Sequence, residues 1–129
     1  MLKANFITAQ EAAEKIQDGS TLCTIGMTLV SASESILKAI EKRFETVGHP
    51  ADITLVHSCG QSDRKDGIQH LAHEGLVKRI VGSHWGLQPR WMEMIANSQV
   101  EAYCLPQGQI AQLYRSMACG LPGKMSKVG

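Results

Sequence analysis

The sequence has no Cys-x-x-Cys pair, no marked excess of either charge, and no apolar run near the ~20 residues that span a bilayer. Each absence removes a class of function. Cys23, Cys59, Cys104 and Cys119 are widely scattered, which argues against both a structural zinc site and a disulfide framework. They read as reduced thiols of a cytoplasmic protein, with Cys23 and Cys104 serving as small apolar residues inside strands. Thirteen Lys and Arg stand against twelve Asp and Glu, so long-range attraction to nucleic acid or to an anionic membrane is not encoded. Met1 to Gln10 lacks the apolar core of a signal peptide. The expected protein is soluble, with neither nucleic acid nor membrane as its partner.

What is present suits one domain. A chain of 129 residues has enough apolar side chains for one core and none to spare for a second. Short β-rich runs alternate with amphipathic stretches, the pattern of parallel strands joined by crossover helices. Thr8 and Glu11 form a capping box ahead of a first helix, and Thr21 to Ile25 is an apolar run suited to a buried strand ending at Gly26. Ser31 and Glu34 suggest a second capping box. The helix after it carries Ile36, Leu37, Ile40 and Phe44 on one stripe, with Lys38, Glu41, Lys42 and Glu45 facing water. Gly48 to Pro50 turns the chain into a second strand, Ile53 to His57.

A long polar loop runs from Ser58 to Gly67, a natural place for function. Beyond it the pattern predicts a short helix in 68–76, a strand over 79–83, a helix over 89–97, a strand over 100–105 and a helix over 108–119. Four strands in this order imply an α/β fold with a Rossmann-like parallel sheet and crossover helices on both faces. Right-handed crossovers then gather every strand's C-terminal end on one edge, where ligands bind. That edge collects the Gly26 to Val30 loop, the turn at Cys59 and Gly60, Ser83 to Gly86, and Pro106 to Gly108. The closing Gly120 to Gly129 supplies a helix stop and a Leu-Pro-Gly turn but no final element, so the chain reads as truncated.

Several residues at this edge invite chemistry. Gly26 and Met27 precede a helix start whose backbone N–H groups suit an anion, although a single glycine falls short of a dinucleotide or phosphate loop. His84, Trp85 and Gly86 break from the third strand with an imidazole and a large aromatic, although Trp85 taken alone reads first as a core residue. Gln107, with Gly108 beside it, puts an uncharged amide donor at the end of the fourth strand, and such a donor suits an oxyanion. Away from the edge, His70, His73 and Glu74 share one side of a helix. Their order matches neither familiar zinc-protease pattern, no third ligand is visible, and the expectation is no metal. They read instead as a histidine pair, with Glu74 steadying one imidazole.

The stretches HLAHEGLVKRIVGSHWG and EAYCLPQGQIAQLYR, supported by EKRFETVGHPADITLV, DGIQ and LPGKMSKVG, give the chain a resemblance to the family I CoA-transferases. It is most similar to the acetate and propionate CoA-transferases in which two halves are fused, and to 3-oxoacid CoA-transferases more broadly. The resemblance covers nearly the whole chain and implies that residues 1–129 are the N-terminal part of a CoA-transferase α domain. It implies movement of CoA between an acyl-CoA and a free short-chain carboxylate through a glutamyl-CoA intermediate. The glutamate nucleophile belongs to the family's second half, which is absent here, while the first half supplies an amide to the oxyanion hole. Gln107 matches that donor, and Gly26, Met27, His84, Trp85, Gly86 and Gly108 are the residues expected to shape the acyl and carboxylate pocket.

The resemblance also implies coenzyme A as a substrate, with no permanently bound cofactor. It implies a missing second half or β subunit as partner and an oligomer in the complete protein. Taken alone, the chain is expected to be inactive. Glu74 is followed directly by glycine, as a nucleophile might be, but it matches a helix residue of the first half. The first-strand loop departs from the family's Gly-Phe pattern at Met27. Two other readings accompany the resemblance: a non-catalytic acyl-CoA or carboxylate-binding or regulatory module of the same fold, and a small sugar-phosphate enzyme. The second would need a basic cradle, for which Arg64, Lys65 and Arg90 are the only nearby candidates.

Overall fold

The computed structural model describes residues 4–128; the expectations at Met1 and Gly129 fall outside them. The chain runs α1 (Ala9–Glu14), β1 (Thr21–Thr24), α2 (Glu34–Val47), β2 (Ile53–His57), a 3-10 turn (Gly67–Leu71), β3 (Val77–Gly82), α3 (Pro89–Ala96), β4 (Glu101–Cys104) and α4 (Gln107–Ala118). The strands form one sheet in the order β1-β2-β3-β4, and every pairing is parallel. Sequential parallel order with right-handed crossovers sends each connecting helix to the same side. The core bears this out: Leu37 and Ile40 of α2, Trp91 and Met94 of α3, Ala13 of α1, and Ile53, Leu55, Val77 and Ile80 of the strands form one cluster. Outside that cluster, α4 runs back from β4 toward β1 and β2, and its Tyr114 hydroxyl donates to the carbonyls of Thr24 (2.8 Å) and Val56 (3.3 Å).

Local rules account for most of these elements. The Thr8–Glu11 capping box forms in both directions, which satisfies two donors that the first helical turn leaves free. Gly48 ends α2 at φ 74, a left-handed cap that costs glycine little. β2 spans the expected residues, and α3 opens on Pro89, whose missing N–H would be unpaired there in any case.

Four expectations give way to longer-range contacts. No capping box forms at Ser31, which lies at φ 63. The helix starts at Glu34 instead, and that carboxylate accepts from the Gly67 N–H at 2.9 Å. Only a 3-10 turn forms within 68–76. Glu41 does not face water; it is half-buried against His70 and His73. Finally, β1 is not a buried strand, and both Cys23 and Cys104 are exposed. They lie on the two outer strands of the sheet.

Candidate active site

The four loops expected at the C-terminal edge do meet there, joined by backbone and side-chain hydrogen bonds. Gly26 opens the loop after β1 at φ 145, where an added Cβ would lie 2.8 Å from the Val30 carbonyl oxygen, so the tight turn over residues 26–30 needs glycine. Thr28 N–H donates to Gly60 O at 2.8 Å, tying this turn to the loop after β2. Leu105 N–H donates to Gly82 O at 2.8 Å, which carries the ladder past β4 to the start of α4. Gln61 is buried, and its Nε2 donates to Thr24 O (3.0 Å) and Ser58 O (2.8 Å). The edges of β1 and β2 are thereby held together.

At the centre is the backbone of Cys59, in the left-handed region at φ 56. Its N–H donates to Gln107 Oε1 at 2.8 Å, and its carbonyl lies 2.9 Å from His57 Nδ1. The other imidazole nitrogen, Nε2, lies 3.1 Å from Trp85 Nε1. An indole N–H can only donate, so His57 Nε2 is the acceptor and Nδ1 carries the proton given to Cys59. His57 is fully buried. Burial pushes its pKa down to about 4, aided by the nearby His84 and opposed by the hydrogen bond to Cys59; the ring is therefore neutral near pH 7.

Glycines make room for these rings. A Cβ on Gly82 would overlap the His57 imidazole, and one on Gly60 would lie 2.6 Å from His84 Nε2. His84 is exposed, and its Nδ1 accepts from Gly86 N–H at 3.1 Å. Gln88 is buried beneath, with its amide nitrogen donating to His84 O (3.1 Å) and its oxygen accepting from Gln61 N (3.0 Å).

The residues singled out from sequence have separate places here. Gln107 is the first residue of α4 and is exposed. With Oε1 committed to Cys59, its Nε2 has no partner among the described residues and is open to solvent. Gly108 follows with open space around its Cα, and Met27 projects from the first loop, 61% exposed. Trp85 points downward instead: its half-buried ring packs against the core and meets His57 edge-on, with centroids 6.3 Å apart. His57 and Gln61 were not anticipated. The one sign of them in the sequence is a pair of polar residues, one ending an apolar strand and one just beyond it, where a buried polar side chain requires partners.

The histidines after the polar loop form a separate cluster. His70 lies 2.5 Å from Glu41 Oε2 and 2.8 Å from Glu34 Oε1, and His73 Nε2 lies 2.9 Å from Glu41 Oε1. Lys38 sits 3.2 Å from Glu34 and 3.4 Å from Asp66, so cations of the chain itself already occupy these carboxylates. Glu74 does not hold either imidazole; it accepts from Gln99 Nε2 at 3.0 Å, just before β3 and so at the sheet's opposite end. Arg90 is directed to Glu41, at 3.6 Å.

The four parallel strands, the helices packed on them and the glycine-bounded loops at their C-terminal edge define an α/β domain with an outward-facing amide at that edge. The coenzyme A transferase family pattern matches residues 6–129, and the chain belongs to that family. It is 37% identical over 127 residues to a caffeate CoA-transferase of Acetobacterium woodii, covering 98% of this chain and 24% of the relative. It superposes on the acyl-CoA transferase YdiF of Escherichia coli O157:H7, solved as a thioester complex with CoA, with a TM-score of 0.87 and 33% identity over 95% of this chain and 26% of that one. It also matches an acetate CoA-transferase subunit alpha of Escherichia coli at 23% identity, covering 56% of that shorter protein. The chain thus spans about a quarter of the length of the first relatives it matches. No helix among the described residues is long and apolar enough to cross a membrane.

Proposed function

We propose that this chain is the α-side portion of a short-chain acyl-CoA:carboxylate CoA-transferase, with Gln107 as an oxyanion donor and the nucleophilic glutamate supplied from outside residues 1–129. The observation that carries this reading is the commitment of Gln107 Oε1 to the Cys59 N–H, which leaves the Nε2 hydrogens as the outward-facing end of the amide. In the reaction, a glutamate carboxylate attacks the thioester carbonyl, whose oxygen becomes negative as the tetrahedral intermediate forms. Collapse expels the CoA thiolate and leaves an acyl-glutamyl anhydride. The thiolate then attacks the glutamyl carbonyl and releases the first acid, giving a glutamyl-CoA thioester that a second acid reverses. A neutral donor fixed in place suits each of these oxyanions, because it adds no competing charge when the substrate carboxylate enters.

The relatives support the division into parts: one is named a subunit alpha, and the longer ones are about four times the chain's length. On this reading coenzyme A is a substrate, the partner is a second half or β subunit, and Met27, His84, Gly86 and Gly108 border the acyl and carboxylate groups. The test mixes the purified chain with a separately expressed catalytic half and follows transfer from acetyl-CoA to propionate. Activity that requires both parts and falls about 10²- to 10³-fold in Gln107→Ala supports the proposal. Full transfer by the chain alone defeats it, and tight binding without turnover points to a non-catalytic module.

A further inference from the structure

We propose that His57 and Trp85 are positioning residues that select which end of the Gln107 amide faces the substrate; the proposal rests on the reading of Gln107 as the oxyanion donor. A terminal amide is two-fold ambiguous, presenting oxygen or NH2 with little steric difference. Gln107 is exposed and begins a helix, so packing does not decide between them. Only an N–H fixed beside Oε1 does so, and that N–H belongs to Cys59. With the amide reversed, an oxygen lone pair would meet the developing oxyanion and raise the barrier.

Cys59 is itself held from below, at the carbonyl on the far side of its Cα from that N–H. Its backbone lies at φ 56, a region that a non-glycine residue enters at some cost. The His57 Nδ1–H grips its carbonyl at 2.9 Å. Trp85 sets that tautomer, because its Nε1–H, 3.1 Å away, needs a lone pair on Nε2. Three hydrogen bonds therefore follow in one direction: Trp85 to His57, His57 to the Cys59 carbonyl, and the Cys59 N–H to Gln107. The φ and ψ of Cys59 link the last two, because its C=O and N–H belong to adjacent peptide groups. Burial keeps His57 neutral, with its pKa near 4; a proton on Nε2 would set two N–H groups against each other. Gly82 completes the arrangement, since any side chain there would enter the space of the imidazole.

A double-mutant cycle in the complete enzyme that contains this segment tests the proposal. His57→Met is expected to lower kcat by about 10- to 100-fold with KM for the acyl-CoA little changed, and His57→Asn, whose Nδ2–H can take the place of Nδ1–H, to recover most of it. In a Gln107→Ala background the same His57→Met change should add less than about two-fold, because its route to the reaction has gone. An equal loss in both backgrounds overturns the proposal. Trp85→Phe keeps an aromatic ring there and removes the donor, so it provides the same comparison should His57→Met not fold. Nitrogen-15 shifts of the 129-residue chain add a readout independent of catalysis: the Nδ1–H tautomer of His57 is expected, and the Nε2–H tautomer overturns the idea. Failure of the Gln107 reading is seen separately, as unchanged kcat in Gln107→Ala alone.

Discussion

His57 and Gly82 face one another across β2 and β3 so closely that a single added Cβ at residue 82 would overlap the imidazole. Gly82→Ala must therefore displace a fully buried ring, together with its bonds to Trp85 and Cys59. Overpacking of this kind costs about 1–3 kcal/mol, and the lost hydrogen bonds add to it. Chemical denaturation of Gly82→Ala should show a loss at or above the upper end of that range. A stability equal to the parent's would mean the ring has other room.

Acid should weaken the fold through the same residue. Unfolded histidine titrates near 6.5, whereas burial holds His57 at about 4. Above pH 6.5 both states are neutral and its contribution is constant. As pH falls from 6.5 to 4 the unfolded chain takes up the proton first, so stability declines by roughly 3 kcal/mol and levels off below 4. Unfolding free energies measured across that range should show the decline, and His57→Asn should lack this component.

His70 has the opposite sign. Burial works against its charge, but hydrogen bonds and charges of Glu41 and Glu34 outweigh it and raise its pKa above the ordinary histidine value. Its contribution is fully present below the unfolded value near 6.5 and fades as pH rises through the folded one. Glu41→Gln should lower the His70 pKa in an NMR titration. An unchanged midpoint would show that Glu34 alone suffices.

Glu74 provides a control on the site's location. It accepts from Gln99 before β3, at the end of the sheet away from Gln107. Glu74→Gln in the complete enzyme should leave transfer within about two-fold of the parent and trap no less of the covalent intermediate. A loss on the scale of a missing nucleophile, several orders of magnitude, would relocate the chemistry.

How much of this was legible beforehand depended on the range over which each feature is decided. The Thr8–Glu11 box and the Ile53–His57 strand were read correctly because three-residue spacing and β-branched runs act locally. The second box at Ser31 failed because Glu34 is claimed by Gly67, 33 residues away. The same holds for Glu41: a charge on the polar stripe of a helix reads as solvated until His70 and His73 pack against it.

At the site, the sequence alone determined the four edge loops and the likeness to CoA-transferases, since strand order follows from alternation and Pro-Gln-Gly and His-Trp-Gly are contiguous motifs. Only the tertiary structure decided which end of Gln107 faces outward and why Trp85 turns toward the core. Those outcomes depend on the backbone of Cys59 and an imidazole at His57 that meet Gln107 and Trp85 across 48 and 28 residues of chain. Hydrogen-bond direction is a property of atoms brought together by folding, and no spacing along the chain encodes it.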